Sequence, residues 1–349
     1  MNKLIECIPN FSEGRSHSNI NAIAKSIEKV NNVNILDINQ GKSTNRTVIT
    51  FIGSPESVSE AAFLGISKAC ELIDMRYHNG EHPRIGASDV IPFVPLSGVN
   101  MDDCINIARN VGMRVGENLS IPVYLYENAA TSSNRKNLSA IRAGEYEGLP
   151  EKLKDPDWMP DFGKAEFNPL SGATAIGARN FLIAFNVNLN TDDKKIASDI
   201  ASEIREIGCA KKDPNGNIMY DERGRVLRKS GLLKSCKAIG WYISEYGKTQ
   251  VSMNLTDYKI TPPHIAFEAV CDAAKKREVN VTGSEIVGLV PLEAMLMAGR
   301  YYINSDNKKN EVKEYDLLCK AIESLGLNNI NTFIPEEMII DYKLKRKFE

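Results

Sequence analysis

The chain has 349 residues, enough for two ordinary domains or one large one. Its apolar fraction of 42% suits packed cores, and a net charge of −2 with no long basic block gives no footprint for nucleic acid. No stretch approaches the roughly 18 apolar residues of a membrane helix, and Pro9, Asn10 and Ser12 break the short apolar run at the N-terminus, so neither an anchor nor a signal peptide is expected. The cysteines (Cys7, Cys70, Cys104, Cys209, Cys236, Cys271 and Cys319) are odd in number and hold no C-x-x-C pair. That spacing argues against a disulfide framework and against a thiolate zinc site, and fits a reducing, cytoplasmic setting.

In chain order, LIECIPNF reads as a strand and HSNINAIAKSIEKV as a helix, with Ile20, Ile23, Ile27 and Val30 at helical spacing. NVNILDIN and NRTVITFIG are strands, ESVSEAAFLGISKACELI a helix, DVIPFVPL a strand, MDDCINIARNVGMRVGENL a helix and IPVYLYENA a strand. The second half restarts with the strand ARNFLIAFNVNL. The helix TDDKKIASDIASEIREIG follows, with Thr191 as its expected N-cap. KAIGWYISEYGKTQVSMNLTD reads as paired strands, PPHIAFEAVCDAAKKREV as a helix and NVTGSEIVGLV as a strand. PLEAMLMAGRYYI and EYDLLCKAIESLG read as helices. Strands alternating with helices in both halves predict an α/β (α+β) fold of helices layered on sheet. The stretch 149–180 is rich in proline and glycine and long for a loop, which marks a boundary and a functional segment or linker. Residues 209–238 form a basic excursion with a hairpin signal at Asn215-Gly216. The expected divisions are 1–179, 180–328 and a tail at 329–349.

Phosphate loops are weakly supported. GKST at 41–44 lacks the glycine a Walker A loop needs five residues earlier, where Leu36 stands, and GKT at 247–249 has Tyr242 there. YHNGEHPRIGASD at 77–89 carries an H-x-x-E-H match. Zinc binding by that match needs His78 and His82 one helical turn apart, but Asn79, Gly80 and Pro83 disfavour a helix. No metal is therefore expected. An acid–base reading asks only for one imidazole of near-neutral pKa in a reachable loop, with Arg84 beside it and Glu81 or Asp89 able to orient it. The plain alternative is a hydrogen-bonded histidine in a turn, and the pattern alone favours that alternative.

A resemblance bears on the choice. ECIPNFSEGR, STNRTV, LIDMRYHNGEHPRIGASDVIPFVPL, VYLYENAA, AIRAGEYEGL, WMPDFG, GARNFLIAFNVNL, AIGWY, QVSMNLTDY and GSEIVGLVPLEAM occur in that order. Together they resemble the formiminotransferase family, whose members are glutamate formimidoyltransferases or the transferase part of formiminotransferase-cyclodeaminases. The likeness runs from about residue 3 to 342. It implies two similar subdomains, each a mixed sheet covered by helices, with a ligand tunnel between them and a homodimeric assembly. It implies a folate-dependent transfer of a formimino group between N5 of tetrahydrofolate and the amine of L-glutamate, in histidine degradation, without a metal. The family's acid–base histidine falls on His82, which leaves His78 a supporting role. Its folate segment falls on Gly163, Lys164, Ala165, Glu166, Phe167, Asn168, Pro169, Leu170, Ser171 and Gly172. Asn39 stands where mammalian relatives carry an acid, so Asp37 or Glu81 would have to orient the histidine. Arg84 and Arg179 are candidate holders of the carboxylates of glutamate or of the folate tail, since an arginine fork matches a carboxylate.

The resemblance leaves no room for a cyclodeaminase part, so a stand-alone transferase acting on small molecules is expected, one that works beside a separate cyclodeaminase. The alternatives are a formyltransferase on the same fold, a non-catalytic folate binder and a zinc hydrolase.

Overall fold

The structure is a computed structural model that describes residues 3–222, 224–243, 247–305 and 312–348. The chain divides into two compact units, Met1–Asn180 and Phe181–Glu349.

The first unit opens with β1 (Leu4–Cys7) and β2 (Asn10–Phe11), then α1 (His17–Glu28), β3 (Asn34–Gly41), β4 (Arg46–Gly53) and α2 (Pro55–Leu72). It continues with β5 (Ser88–Ser97), α3 (Met101–Leu119), β6 (Val123–Glu127), the short helices α4 (Leu138–Ile141) and α5 (Glu145–Lys152), and β7 (Thr174–Ala178). The strands form one sheet in the order β1-β4-β2-β5-β7-β6, with β3 on β4. The β5–β7 and β7–β6 pairs are parallel and the others antiparallel. Side chains alternate across a strand, so Ile5 and Cys7 enter the helix-covered core while Glu6 faces the other way. That core includes Phe11, Ile23, Ile27, Phe51, Ile66, Phe93 and Val111, all essentially without solvent contact. Burying each such side chain is worth about 1.5–3 kcal/mol. The helices start where their caps dictate: Ser16 Oγ accepts from Asn19 N, and Asn100 and Asp103 form a reciprocal capping box on α3.

The second unit holds β8 (Ile183–Leu189), α6 (Lys194–Ile204), a ribbon of β9 (Cys209–Ala210) with β10 (Arg228–Lys229), β11 (Cys236–Ile243) and β12 (Lys248–Leu255). After these come α7 (Pro263–Lys275), β13 (Val281–Val287), α8 (Leu292–Ser305), α9 (Glu314–Leu325), α10 (Pro335–Met338) and α11 (Ile340–Phe348). Its antiparallel sheet runs β11-β12-β8-β13, and Phe185, Val187, Ile200, Val251, Met253 and Val270 fill its core. Helices layer on a sheet in both units as expected, but only the first sheet is mixed and the second is wholly antiparallel.

Several expectations need correction. Thr191 does not cap α6. Asp193 does, its carboxylate accepting from Lys195 N at 2.8 Å, while Thr191 Oγ1 accepts from Asp193 N one step earlier. The stretch 149–180 is not an irregular linker: it contains the end of α5 and the interior strand β7. Thr-Ala-Ile-Gly-Ala hides that strand because its small residues carry little β signal. The smallness has a cause, since a Cβ on Gly177 would lie 2.5 Å from the ring of Tyr126. Within 329–349, expected as a tail, Phe333 and Ile339 pack into the second core, Ile340 is buried, and Ile339 bridges Val290. The basic excursion is the β9–β10 ribbon, with Gly216 at φ +86° in its turn. No helix among the described residues is long and apolar enough to cross a membrane.

Candidate active site

The loop after α2 is shaped by local hydrogen bonds. Asp74 caps a single 3-10 turn at Met75–Tyr77, and His78 leaves it in extended geometry. The loop then lies on the β3–β4 turn, the GKST segment. Asn45 Nδ2 donates to Asn79 O, Glu81 N donates to Ser43 O, and Gly80 passes so close that an added Cβ would sit 2.2 Å from Thr44 O. The weak phosphate-loop match is thus a support for the histidine loop. His78 Nε2 donates to Asn45 O at 2.9 Å and its Nδ1 accepts from Arg84 Nε at 3.2 Å. Both ring nitrogens are used, the imidazole is neutral, and burial holds its pKa down. His78 therefore fixes the loop. The H-x-x-E-H stretch is not a helix, and its two histidines serve different partners.

His82 is placed differently. Its Nδ1 lies 2.7 Å from Pro83 O and 3.0 Å from Arg46 Nη1. The carbonyl contact is shorter, so the ring proton is assigned to Nδ1 as donor to Pro83 O, which leaves the lone pair on Nε2 without a partner among the described residues. Burial, then Arg46 and Arg142, push the pKa of His82 from 6.5 down to about 3. The ring is therefore a neutral base at physiological pH. No hydrogen bond joins it to Glu81. The carboxylate that acts on it electrostatically is Asp89, fully buried at the start of β5.

Asp89 organises the cations. Its Oδ2 accepts from Arg46 Nη1 at 2.7 Å and from Arg142 Nη2, and its Oδ1 accepts from Ile85 N at 3.1 Å and from Arg142 Nε at 3.3 Å. Burial opposes its ionisation, but Arg142 and Arg46 overcome this and hold its pKa below the ordinary value. Arg46 also donates twice to Asn10 Oδ1, at 2.6 and 3.0 Å. Sequence reasoning named Asp89 but passed over Arg46 and Arg142. Their signal was present only as arginines in otherwise small or β-branched contexts, RTVITFIG and AIRAG.

The two candidate carboxylate holders sit elsewhere. The Arg84 guanidinium is occupied by the protein: Nη1 and Nη2 form a fork on Glu147 at 2.8 and 2.6 Å, and Nη1 also meets Glu145 at 2.9 Å. With His78, Asn79, Gly80 and Gly144 these residues line a cavity of about 460 Å³. Arg179 follows β7, whose Ala178 pairs with Phe93 and whose Ala175 pairs with Val90. Its backbone is therefore five residues along the sheet from Asp89, roughly 17 Å at about 3.3 Å per residue. Its guanidinium meets the buried Tyr126 hydroxyl and faces Glu6.

The segment from Gly163 to Gly172 is stitched to the histidine loop. Ala87 N donates to Ser171 O at 2.9 Å, Ala173 N donates to Ile85 O at 3.0 Å, and Gly86 bridges Gly172. Asn168 Oδ1 accepts from Leu170 N and Ser171 N, closing a turn. Phe167 stacks obliquely on Tyr146 at 5.3 Å, and the Tyr146 hydroxyl donates to Pro169 O. Gly163, Lys164, Glu166, Pro169 and Leu170 are exposed, Ala165, Phe167 and Asn168 partly so, while Ser171 and Gly172 are buried. An open strip of backbone thus ends against the loop that carries His82. Among the described residues no group of three His, Cys, Asp or Glu side chains is placed to hold a metal ion.

Comparison with known proteins decides the family. The formiminotransferase N-terminal subdomain matches residues 4–179 and the formiminotransferase domain matches residues 184–345. The chain belongs to the formiminotransferase family. It is 40% identical to the glutamate formimidoyltransferase of Streptococcus pyogenes serotype M1, over 93% of this chain and 99% of that one. It is 44% identical to the glutamate formimidoyltransferase of Thermoplasma acidophilum, over 86% of this chain and 92% of that one. It is 48% identical to the formimidoyltransferase-cyclodeaminase of Dictyostelium discoideum, over 99% of this chain. The chain spans about three fifths of the length of that relative, 61%, and of the pig formimidoyltransferase-cyclodeaminase, 60%.

Proposed function

We propose that this protein is a glutamate formimidoyltransferase, which moves the formimino group of N-formimino-L-glutamate to N5 of tetrahydrofolate, a step of histidine degradation. The observation that carries the reading is the neutral His82 ring, with Nε2 unpartnered, on a loop bonded to the 163–172 segment. Family membership and the two relatives named for this activity support it.

The chemistry needs one group that takes a proton and returns it. N5 of tetrahydrofolate attacks the carbon of the protonated formimino group, a C–N bond forms as the C=N π pair moves onto the imino nitrogen, and the N5 proton passes to His82 Nε2. A tetrahedral intermediate with both nitrogens on one carbon results. The imidazolium then protonates the glutamate nitrogen, the original C–N bond breaks, and glutamate leaves with the formimino group on N5. Protons balance over the cycle. A positioned acid–base group of this kind typically contributes about 10²–10⁴-fold, and holding the two substrates together supplies much of the remainder. In this reading the 163–172 strip receives the folate, its exposed backbone groups meeting the polar pterin edge and Phe167 offering an apolar contact. The molecule is proposed to act as a homodimer in the cytoplasm.

The test is direct. Purified protein is mixed with formiminoglutamate and tetrahydrofolate, and 5-formiminotetrahydrofolate is followed by absorbance, with and without a chelator. Turnover that survives the chelator supports the reading. No turnover on this pair, with transfer from formylglutamate instead, replaces it by formyl transfer.

A further inference from the structure

The His82 site holds more positive charge than its own carboxylate offsets. Two guanidiniums, Arg46 and Arg142, share the single Oδ2 of Asp89, and both arginine side chains are largely buried. The remaining nitrogens of Arg46 are spent on Asn10. Arg142 is not spent. Its Nε and Nη2 are on Asp89, but among the described residues its Nη1 has no hydrogen-bond partner, and it is not sealed from solvent. An uncompensated cation in a largely desolvated place is costly unless an anion completes it. Arg84 presents the opposite case, since Glu145 and Glu147 already fill its fork.

We propose that Arg142, with Arg46 behind it, takes a carboxylate of the amino-acid substrate beside His82, and that Arg84 does not. The proposal rests on the formimino-transfer reading and names the group that would give it substrate specificity. A carboxylate suits the site because a guanidinium edge matches it in shape and charge. It also has a consequence for the chemistry. Arg46 and Arg142 are two of the causes that keep His82 neutral. An anion bound on Arg142 beside the ring offsets that field, raising the proton affinity of Nε2 only when substrate is present.

Arg142 acts here as a binding residue, and the test reads binding apart from turnover. Glutarate, a dicarboxylate with no amine to react, is titrated calorimetrically into the full chain as wild type, Arg142→Gln, Arg142→Lys and Arg84→Gln. Circular dichroism checks each fold. Losing a charge-assisted hydrogen bond predicts affinity about 10- to 100-fold weaker in Arg142→Gln. Arg142→Lys should recover part of this, and Arg84→Gln should bind as wild type does. Wild-type affinity in a folded Arg142→Gln overturns the proposal, as does an equal loss in Arg84→Gln. If Arg142→Gln does not fold, Arg142→Lys decides: weakened binding supports the fork, and undiminished binding overturns it. Wild type that binds no glutarate also overturns it. Wild type that binds glutarate without turning over formiminoglutamate sinks the transfer reading and leaves the anion site standing.

Discussion

Arg46 Nη1 lies 3.0 Å from His82 Nδ1 and 2.7 Å from Asp89 Oδ2, so one guanidinium nitrogen sits between the candidate base and a buried carboxylate. With the Nδ1 proton given to Pro83 O, Arg46 acts on the ring through its charge and not by a hydrogen bond. A cation next to Nδ1 resists a second proton on the imidazole, and Asp89 keeps that cation in place.

Replacing Arg46 with Met should therefore act twice. Breaking a buried ion pair by removing one partner costs about 3–5 kcal/mol, and Arg142 would retain part of the Asp89 interaction. A clear fall in melting temperature is expected. At the same time the His82 pKa should rise, because one of the two cations that depress it is gone. Calorimetry and histidine NMR on one sample check both effects. An unchanged His82 titration in a folded variant would contradict the assignment.

The pH dependence of His82 has a definite sign. Its folded pKa, about 3, lies below the unfolded value near 6.5. The unfolded chain therefore binds a proton that the folded chain refuses. The contribution of His82 to stability is present above 6.5 and is lost as pH falls towards 3. His82→Gln should flatten that part of the stability profile, measured by urea denaturation between pH 4 and 7. In the substrate-free protein the His82 ring resonances should not titrate near 6.5.

Glu6 behaves in the opposite sense. Both its carboxyl oxygens are buried without a partner, and burial raises its pKa from 4.5 to about 7, against the pull of Arg179. Here the folded chain holds a proton that the unfolded chain releases. The contribution to stability is present below 4.5 and disappears as pH rises through 7. Glu6→Gln should be more stable than wild type at pH 8 and near it at pH 4. Denaturation at the two pH values decides, and equal effects at both would count against a neutral Glu6.

Gly80→Ala tests the seating of the loop. The new methyl would meet Thr44 O at 2.2 Å, and that oxygen is backbone and cannot swing aside. The loop must shift, taking His82 with it. Transfer activity should drop by at least about tenfold, given how steeply catalysis depends on placement, while α1 to α3 keep their helix signal in circular dichroism.

Much of this was legible in the sequence. The long helices carry apolar residues at helical spacing and began within a residue or so of their expected starts, because serine, asparagine and proline mark those starts chemically. The exception was α6, where neighbouring Thr191 and Asp193 competed for one cap. β7 was missed because its residues are chosen for the neighbouring Tyr126 ring rather than for β propensity. At the site, Pro83 and Gly80 correctly signalled a loop in place of a zinc helix. The partners of the histidines were not legible. Arg46 and Asp89 are 43 residues apart and Arg142 and Asp89 are 53 apart. The sheet brings Arg46 on β4 to Asp89 on β5, and the end of α4 brings in Arg142, so local pattern could not separate the engaged Arg84 from the open Arg142.

The central claim is that His82 Nε2 carries the proton during transfer. It is tested most directly by His82→Ala, with single-turnover transfer and tetrahydrofolate binding measured on the same protein. The rate should fall at least about 100-fold, with folate affinity within a few-fold of wild type. A transfer rate equal to wild type in His82→Ala would contradict it.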